Sequence, residues 1–201
     1  KTLNNCNMIS KREFYQNQKS SQPFDFKFLG NLNVSQIINN LNTFTEEQWN
    51  VHTHRNEGFR AHNQTNSLEI LWDKDSLKTG LVGKKNIVNY KQLDFDYIKN
   101  TLQPIYEKHY GPGYFIRTLL PRLQPGGSIP IHKDNGESLM KCKRTHIPLI
   151  TNKDVLFKVG ETVKNLKVGE TWEINNGREH SVINNSNEYR IHLIVDYLPK
   201  S

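Results

Sequence analysis

The chain has 201 residues, which suits one folded domain, and 35% of them are hydrophobic. The net charge is +7, but the basic residues are scattered and form no stripe with interleaved aromatics, which argues against a nucleic-acid-binding protein. Two cysteines, Cys6 and Cys142, exclude a disulfide framework, and no apolar run approaches the roughly 20 residues of a membrane helix. We therefore expect a cytoplasmic protein without a signal peptide or membrane contact.

The first half of the chain predicts an arm, two helices and a strand. Residues 1–25 are polar and lack clear periodicity, so they predict an N-terminal arm. Apolar residues at helical spacing predict an amphipathic helix over 34–48, and alternation predicts a strand over 65–72. A second helix is predicted over 94–109, capped by Asp94 or Asp96.

From Tyr114 onward, short β-rich runs are separated by Gly, Asn and Pro. Their spacing predicts a sandwich or jelly roll, mainly β with flanking helices, in which residues 184–187 form a hairpin turn between the last two strands. We expect one domain, with the arm, an α/β layer over 26–113 and a β core over 114–201. The predicted strands are 115–123, 129–132, 144–150, 155–159, 162–166, 170–174, 180–183 and 189–197.

Three residues of the β core have the order of a metal site. His132 and Asp134 are two residues apart, so on an extended chain their side chains point to the same side. A distal histidine, His180, completes the 2-His-1-carboxylate set that holds Fe(II) on one face and leaves the other positions open. An HxD pair alone is a weak pattern, and zinc also accepts such ligands.

Arg190 follows the distal histidine on a strand that is apolar on both faces, which predicts a buried strand. A buried charge needs an anionic partner, and the nearby acid is Asp196. The alternative partner is a dicarboxylate such as 2-oxoglutarate, for which an arginine fork is well suited. Pairing of the last two strands would place His180 and Arg190 on adjacent strands, facing one cavity.

Further cationic residues are candidates for binding carboxylates. Arg144 and His146 share one face of a predicted strand, and a surface arginine on an edge strand is an equal alternative for Arg144 on residue type alone. His192 lies on the same face as Arg190 and is interpreted as structural support. Two residues of a polar stretch, Arg60 and His62, are either substrate contacts or part of a solvated loop, as are its other members, His52, His54 and Arg55.

These motifs resemble the aspartyl/asparaginyl β-hydroxylase family over about residues 114–198. The resemblance implies a double-stranded β-helix, a jelly-roll or cupin-like fold, with an N-terminal α/β layer. The Arg-x-His-x-Pro-Leu element and the His-then-Arg order are its most specific features. The matching segments are 123–127, 131–134, 144–149, 169–172, 180–184 and 190–196.

The resemblance also implies a function, which is Fe(II)- and 2-oxoglutarate-dependent hydroxylation of a C–H bond with O₂, with ascorbate as reductant in vitro. His132, Asp134 and His180 would bind the iron, and Arg190, Arg144 and His146 would contact 2-oxoglutarate. We expect a short form without membrane anchor or helical repeats, acting on an amino acid or on an Asp, Asn or Pro residue of a peptide. The alternatives are a non-catalytic cupin-like binding module and an oxygenase acting on lipid or nucleic-acid-associated substrates.

Overall fold

A computed structural model describes residues 10–50, 63–74, 87–89 and 93–200, with backbone only at 87–89. The helices are α1 (Lys11–Ser20), α2 (Ser35–Leu41), α3 (Glu46–Trp49), α4 (Phe95–Tyr110) and α5 (Glu137–Lys141). The strands are β1 (Phe26–Asn31), β2 (Thr65–Asp73), β3 (Ile87–Asn89), β4 (Gly113–Leu123), β5 (Ser128–His132), β6 (Lys143–Ile150), β7 (Val155–Val159), β8 (Thr162–Lys164), β9 (Glu170–Ile174), β10 (His180–Asn184) and β11 (Arg190–Pro199).

The described strands form two antiparallel sheets that face each other. The large sheet has the order β1-β9-β6-β11-β4-β2-β3, and the small sheet has the order β5-β10-β7-β8. Apolar side chains from both sheets fill the space between them, among them Leu123 of the large sheet and Phe157 and Val182 of the small one. This arrangement confirms the predicted double-stranded β-helix.

A layer of helices covers the outer face of the large sheet. The buried face of α4 consists of Ile98, Leu102 and Tyr106, which follow helical spacing and pack in one core with the outward-facing side of the large sheet. The predicted cap is present, because the Asp94 side chain accepts a hydrogen bond from the backbone N–H of Tyr97 at 3.0 Å. None of the described helices is both long and apolar enough to cross a membrane.

The N-terminal half differs from the sequence prediction in three respects. The helix predicted over 34–48 is two helices, because Thr45 forms a capping box with Gln48 and begins α3 anew. The predicted arm contains α1, which begins with a capping box between Ser10 and Glu13. The β core is not confined to residues 114–201, since β1, β2 and β3 of the α/β layer belong to the large sheet.

The hairpin predicted between the last two strands was wrong. β10 pairs with β5 and β7 in the small sheet, whereas β11 pairs with β4 and β6 in the large sheet. Residues 184–187 therefore carry the chain across from one sheet to the other. Turn residues fix a local reversal, but the burial of β11 between two strands decides which partners it has.

Candidate active site

Three potential metal ligands meet at one end of the small sheet. His132 ends β5 and His180 begins β10, and the two residues lie opposite each other in the strand pairing. Their ring centroids are 4.2 Å apart. Asp134 follows β5 by two residues, and one ligand atom from each of the three residues lies within 4.8 Å of the others. The structure therefore brings these three residues together, as the sequence predicted.

Both histidines are fixed in the tautomer that a metal needs. The Nδ1 of His132 lies 2.8 Å from the carbonyl oxygen of Pro130, and the Nδ1 of His180 lies 3.0 Å from that of Arg178. A carbonyl oxygen only accepts, so each Nδ1 carries the proton and each Nε2 carries the lone pair. Burial also lowers the pKa of His180, which favours the neutral ring that binds metals.

The carboxylate of Asp134 is held ionised and oriented. Its Oδ2 accepts hydrogen bonds from Nη1 of Arg144 at 2.9 Å and from Nδ2 of Asn176 at 3.0 Å. Burial alone would raise the pKa of Asp134, but the positive charge of Arg144 outweighs burial and keeps the pKa well below its usual range. Because both bonds go to Oδ2, Oδ1 remains available as a ligand.

Arg190 is a buried cation at the start of β11. Only 1% of its surface is exposed, and its Nη2 lies 2.7 Å from Nδ1 of His192. Its Nε makes no hydrogen bond, and no carboxylate among the described residues pairs with it. Burial lowers the pKa of Arg190 to about 9. A buried guanidinium without an acid is costly, which indicates that an anionic ligand belongs beside it.

Asp196 is not the partner of Arg190, contrary to the alternative drawn from the sequence. Its carboxylate accepts hydrogen bonds from Nε of Arg117 at 2.6 Å and from Nε and Nη2 of Arg144 at 2.8 Å each. Asp196 shares a strand with Arg190 but lies six residues further along it. A row of ionic contacts therefore runs from Arg117 through Asp196 and Arg144 to Asp134.

One pocket of about 430 Å³, which includes solvent at its mouth, is lined by the three potential metal ligands together with Arg144 and Arg190. His146 also faces it, and its Nδ1 makes no hydrogen bond to the described residues, while burial places its pKa well below the ordinary value. The ring of Phe157 packs 5.0 Å from His146 and 5.8 Å from the guanidinium of Arg190. The lining residues are Pro121, Ile129, His132, Asp134, Arg144, His146, Phe157, His180, Val182, Arg190 and Ile194.

The structure thus brings together six of the residues that the sequence pointed to. Arg60 and His62 lie outside the described residues, as do His52, His54 and Arg55. Sequence reasoning missed Asn176, Asp196 and Arg117 as groups that hold the site residues in place. Asn176 lies 42 residues from Asp134, so no local sequence pattern predicts the contact between them.

The sequence profile of the family described as aspartyl/asparaginyl beta-hydroxylase matches residues 32–199. No curated protein matches the chain. The solved structure of HygX from Streptomyces hygroscopicus, which contains nickel, 2-oxoglutarate and hygromycin B, is similar over 96% of this chain and 88% of HygX, with 11% identity and a TM-score of 0.57.

A Burkholderia pseudomallei protein of the 2OG-Fe(II) oxygenase family is similar over 67% of this chain and 66% of its own length, with 15% identity and a TM-score of 0.51. At such low identity these two likenesses show a shared fold. The family match covers most of the chain and includes every pocket residue. The chain therefore belongs to the aspartyl/asparaginyl beta-hydroxylase family and is an oxygenase.

Proposed function

We propose that the chain uses Fe(II) and 2-oxoglutarate to hydroxylate a C–H bond of an amino acid, either free or within a peptide. The observation that carries the proposal is a 2-His-1-carboxylate set in the same pocket as a buried arginine that has no acidic partner among the described residues. The first feature suits a metal with open positions, and the second suits a carboxylate-bearing co-substrate.

The ligand set fits Fe(II) by its chemistry. His132 and His180 would bind through Nε2, and Asp134 would bind through Oδ1. Bound Fe(II) would supply O₂ activation coupled to decarboxylation of 2-oxoglutarate to succinate and CO₂. The protein favours the neutral form of His180, keeps the carboxylate of Asp134 ionised and lines the site with apolar side chains.

Arg190 is the proposed partner of the distal carboxylate of 2-oxoglutarate, and His192 orients it through their 2.7 Å contact. Arg144 and His146 are proposed as further co-substrate contacts, because both line the pocket. Arg144 would do this while holding Asp134, so its loss should affect the metal as well as 2-oxoglutarate.

The substrate class is proposed from the charge of the chain and the lining of the pocket. A net charge of +7 attracts anions, and Arg60 and His62 are proposed to contact a substrate carboxylate. The pocket combines apolar walls with a few charged groups, which suits a small ligand that carries a carboxylate.

The test is turnover of 2-oxoglutarate in the presence of Fe(II), ascorbate and candidate substrates. We expect succinate to form faster with the right amino acid or peptide, and mass spectrometry should show the gain of one oxygen atom. The His180→Ala variant should form no succinate. Metal binding without any turnover would favour a cupin-like binding module, and oxygen transfer to a lipid or nucleotide instead would overturn the substrate class.

A further inference from the structure

The residues just before the family match lie against the turn that leads to His180. We call residues 16–25 the anchor segment and residues 175–179 the ligand turn. The family match begins at residue 32, so the anchor segment is outside it. The ligand turn connects β9 with β10, and its contacts point in two directions.

On its outer side, the ligand turn is bound to the anchor segment by two side chains. Arg178 donates from Nε to the carbonyl oxygen of Ser20 at 3.0 Å, from Nη2 to that of Gln22 at 2.7 Å, and from Nη1 to Oδ1 of Asp25 at 2.6 Å. Asn175 is fully buried, and its Nδ2 lies 3.2–3.5 Å from the carbonyl oxygens of Ser20, Gln22 and Phe24. The guanidinium and the amide therefore satisfy backbone groups that neither element satisfies alone.

Two further contacts make the fit close. Gln16 donates from Nε2 to the carbonyl oxygen of Gly177 at 2.9 Å. A Cβ at Gly177 would lie 2.9 Å from both the Lys19 side chain and the backbone N of Ser20, so only glycine fits there. Lys19 is itself 2% exposed and lies 3.5 Å from the buried carboxylate of Glu173. The anchor segment is thus fixed to the barrel at both its ends.

On its inner side, the same turn orients two of the candidate metal ligands. The carbonyl oxygen of Arg178 accepts the Nδ1 proton of His180, and Asn176 donates to Oδ2 of Asp134. The backbone of Asn176 also accepts a hydrogen bond from the N–H of Asp134 at 3.2 Å. One five-residue turn therefore sets the tautomer of one ligand and the direction of another.

We propose that the anchor segment is a positioning element of the metal site, acting through Asp25, Arg178 and the ligand turn. The proposal rests on the assignment of His132, Asp134 and His180 as metal ligands. Asp25 touches none of the ligands, and its Oδ2 accepts a hydrogen bond from Thr162 at 2.6 Å, so it joins the anchor segment to β8 as well as to Arg178. Releasing Arg178 would free the carbonyl that holds the His180 ring.

The experiment compares Asp25→Ala with a matched control, Glu46→Ala. Both changes remove a carboxylate that binds an arginine of the barrel, because Glu46 accepts from both Nη atoms of Arg122 at 2.6–2.7 Å on the far, helix-covered face. The probe is Co(II), added to metal-free protein and followed by its d–d absorption without any turnover. Wild type should bind one Co(II), and His180→Ala should not.

We expect Asp25→Ala to raise the Co(II) dissociation constant about tenfold or more, as losses of outer-shell contacts typically do, and Glu46→Ala to leave it within about twofold of wild type. In the metal-free protein, ¹⁵N NMR should show His180 as the Nδ1–H tautomer in wild type and as a mixture in Asp25→Ala. If Asp25→Ala does not fold, the milder Asp25→Asn decides, with an expected rise of about threefold.

A Co(II) affinity of the deciding Asp25 variant within about twofold of wild type overturns the positioning role, as does an equal loss in Glu46→Ala, which would indicate general destabilisation. Either result would leave the assignment of the metal ligands unaffected. If wild type binds no Co(II), or His180→Ala binds it normally, the ligand assignment fails and this inference falls with it.

Discussion

At the scale of single residues, the chemistry depends on how buried charges are paired. Asp134 and Asp196 are each matched by arginines, whereas no carboxylate among the described residues pairs with Arg190, whose neighbours are a neutral histidine and the ring of Phe157. An unmatched buried guanidinium destabilises the ligand-free protein, and a bound carboxylate would relieve that cost. The unpaired charge of Arg190 thus both lowers the stability of the ligand-free protein and would give the co-substrate its affinity.

Arg190→Lys should weaken 2-oxoglutarate binding because it keeps the charge but loses the planar fork. Losing one charge-assisted hydrogen bond of about 1.5–3 kcal/mol corresponds to a rise of roughly 10- to 150-fold in the KM for 2-oxoglutarate. Steady-state succinate assays measure this KM, and the Co(II) dissociation constant should stay unchanged as the control. A wild-type KM in the lysine variant would remove Arg190 from the co-substrate site.

Asp196 should make the fold sensitive to acid. Burial would raise its pKa, but Arg144 and Arg117 hold the pKa well below the unfolded value of about 3.9. The lowered pKa means that this stabilisation is complete above about pH 4 and is lost as the pH falls towards the folded pKa. Asp196→Asn should lower the unfolding free energy at pH 7 by about 3–5 kcal/mol, since Arg117 and Arg144 would lose the buried carboxylate that they share.

Urea unfolding of wild type and Asp196→Asn at pH 7, 5 and 3 measures this difference. The difference in unfolding free energy between the two proteins should be largest at pH 7 and should be smaller at pH 3. A gap that is constant with pH would show that the ion pairs contribute nothing to the acid sensitivity.

At the scale of elements, the apolar spacing of α4 in the sequence agrees with the face that the helix buries in the structure. Its buried residues recur every three to four positions, and its cap is one of the two residues that the sequence predicted. Helix α4 packs on the outer face of the large sheet, on the opposite side from the pocket. The helix layer should therefore contribute to stability with little effect on the chemistry of the site.

Leu102→Ala tests this separation. The side chain is fully buried, so its truncation should lower the free energy of unfolding by about 2–5 kcal/mol. The exposed Asn100→Ala on the same helix should change it by less than about 0.5 kcal/mol. Chemical denaturation gives both values, and Co(II) affinity of folded Leu102→Ala should equal that of wild type. A weakened metal site in this variant would show that α4 shapes the pocket.

At the scale of the whole molecule, the pocket joins the two sheets. The small sheet supplies His132 and His180, and the large sheet supplies Arg144 and Arg190. Asp134 connects them, because it follows a strand of the small sheet and pairs with Arg144 of the large one. Ligands that bind here should therefore stabilise the two sheets together.

Thermal unfolding should show this coupling. At a metal concentration of 100 times the dissociation constant, binding stabilises by about 2.7 kcal/mol, which corresponds to a rise in Tm on the order of 5–10 °C. Adding 2-oxoglutarate to the Co(II) protein should raise Tm further, and Arg190→Lys should lose most of that second rise. The assignment of the metal ligands would be contradicted if Co(II) left the Tm of wild type unchanged, or if it raised the Tm of His180→Ala as much as that of wild type.

The sequence by itself determined the features that depend on neighbours along the chain. Short β-rich runs with turn residues between them predicted the jelly roll, and the HxD spacing put two side chains on one side of an extended segment. The order of His180 and Arg190 and the cap of α4 could also be identified from the sequence. Each of these follows from local backbone geometry, which a short stretch of sequence specifies.

Only the tertiary structure decided which distant residues meet. It placed β10 and β11 in different sheets, paired Arg144 with Asp134 and Asp196, and laid the anchor segment on the ligand turn. Arg178 and Asp25 are 153 positions apart, so their contact depends on the packing of the whole barrel. Many residues of each type would suit such an ion pair on sequence grounds, and burial and shape select the one that forms.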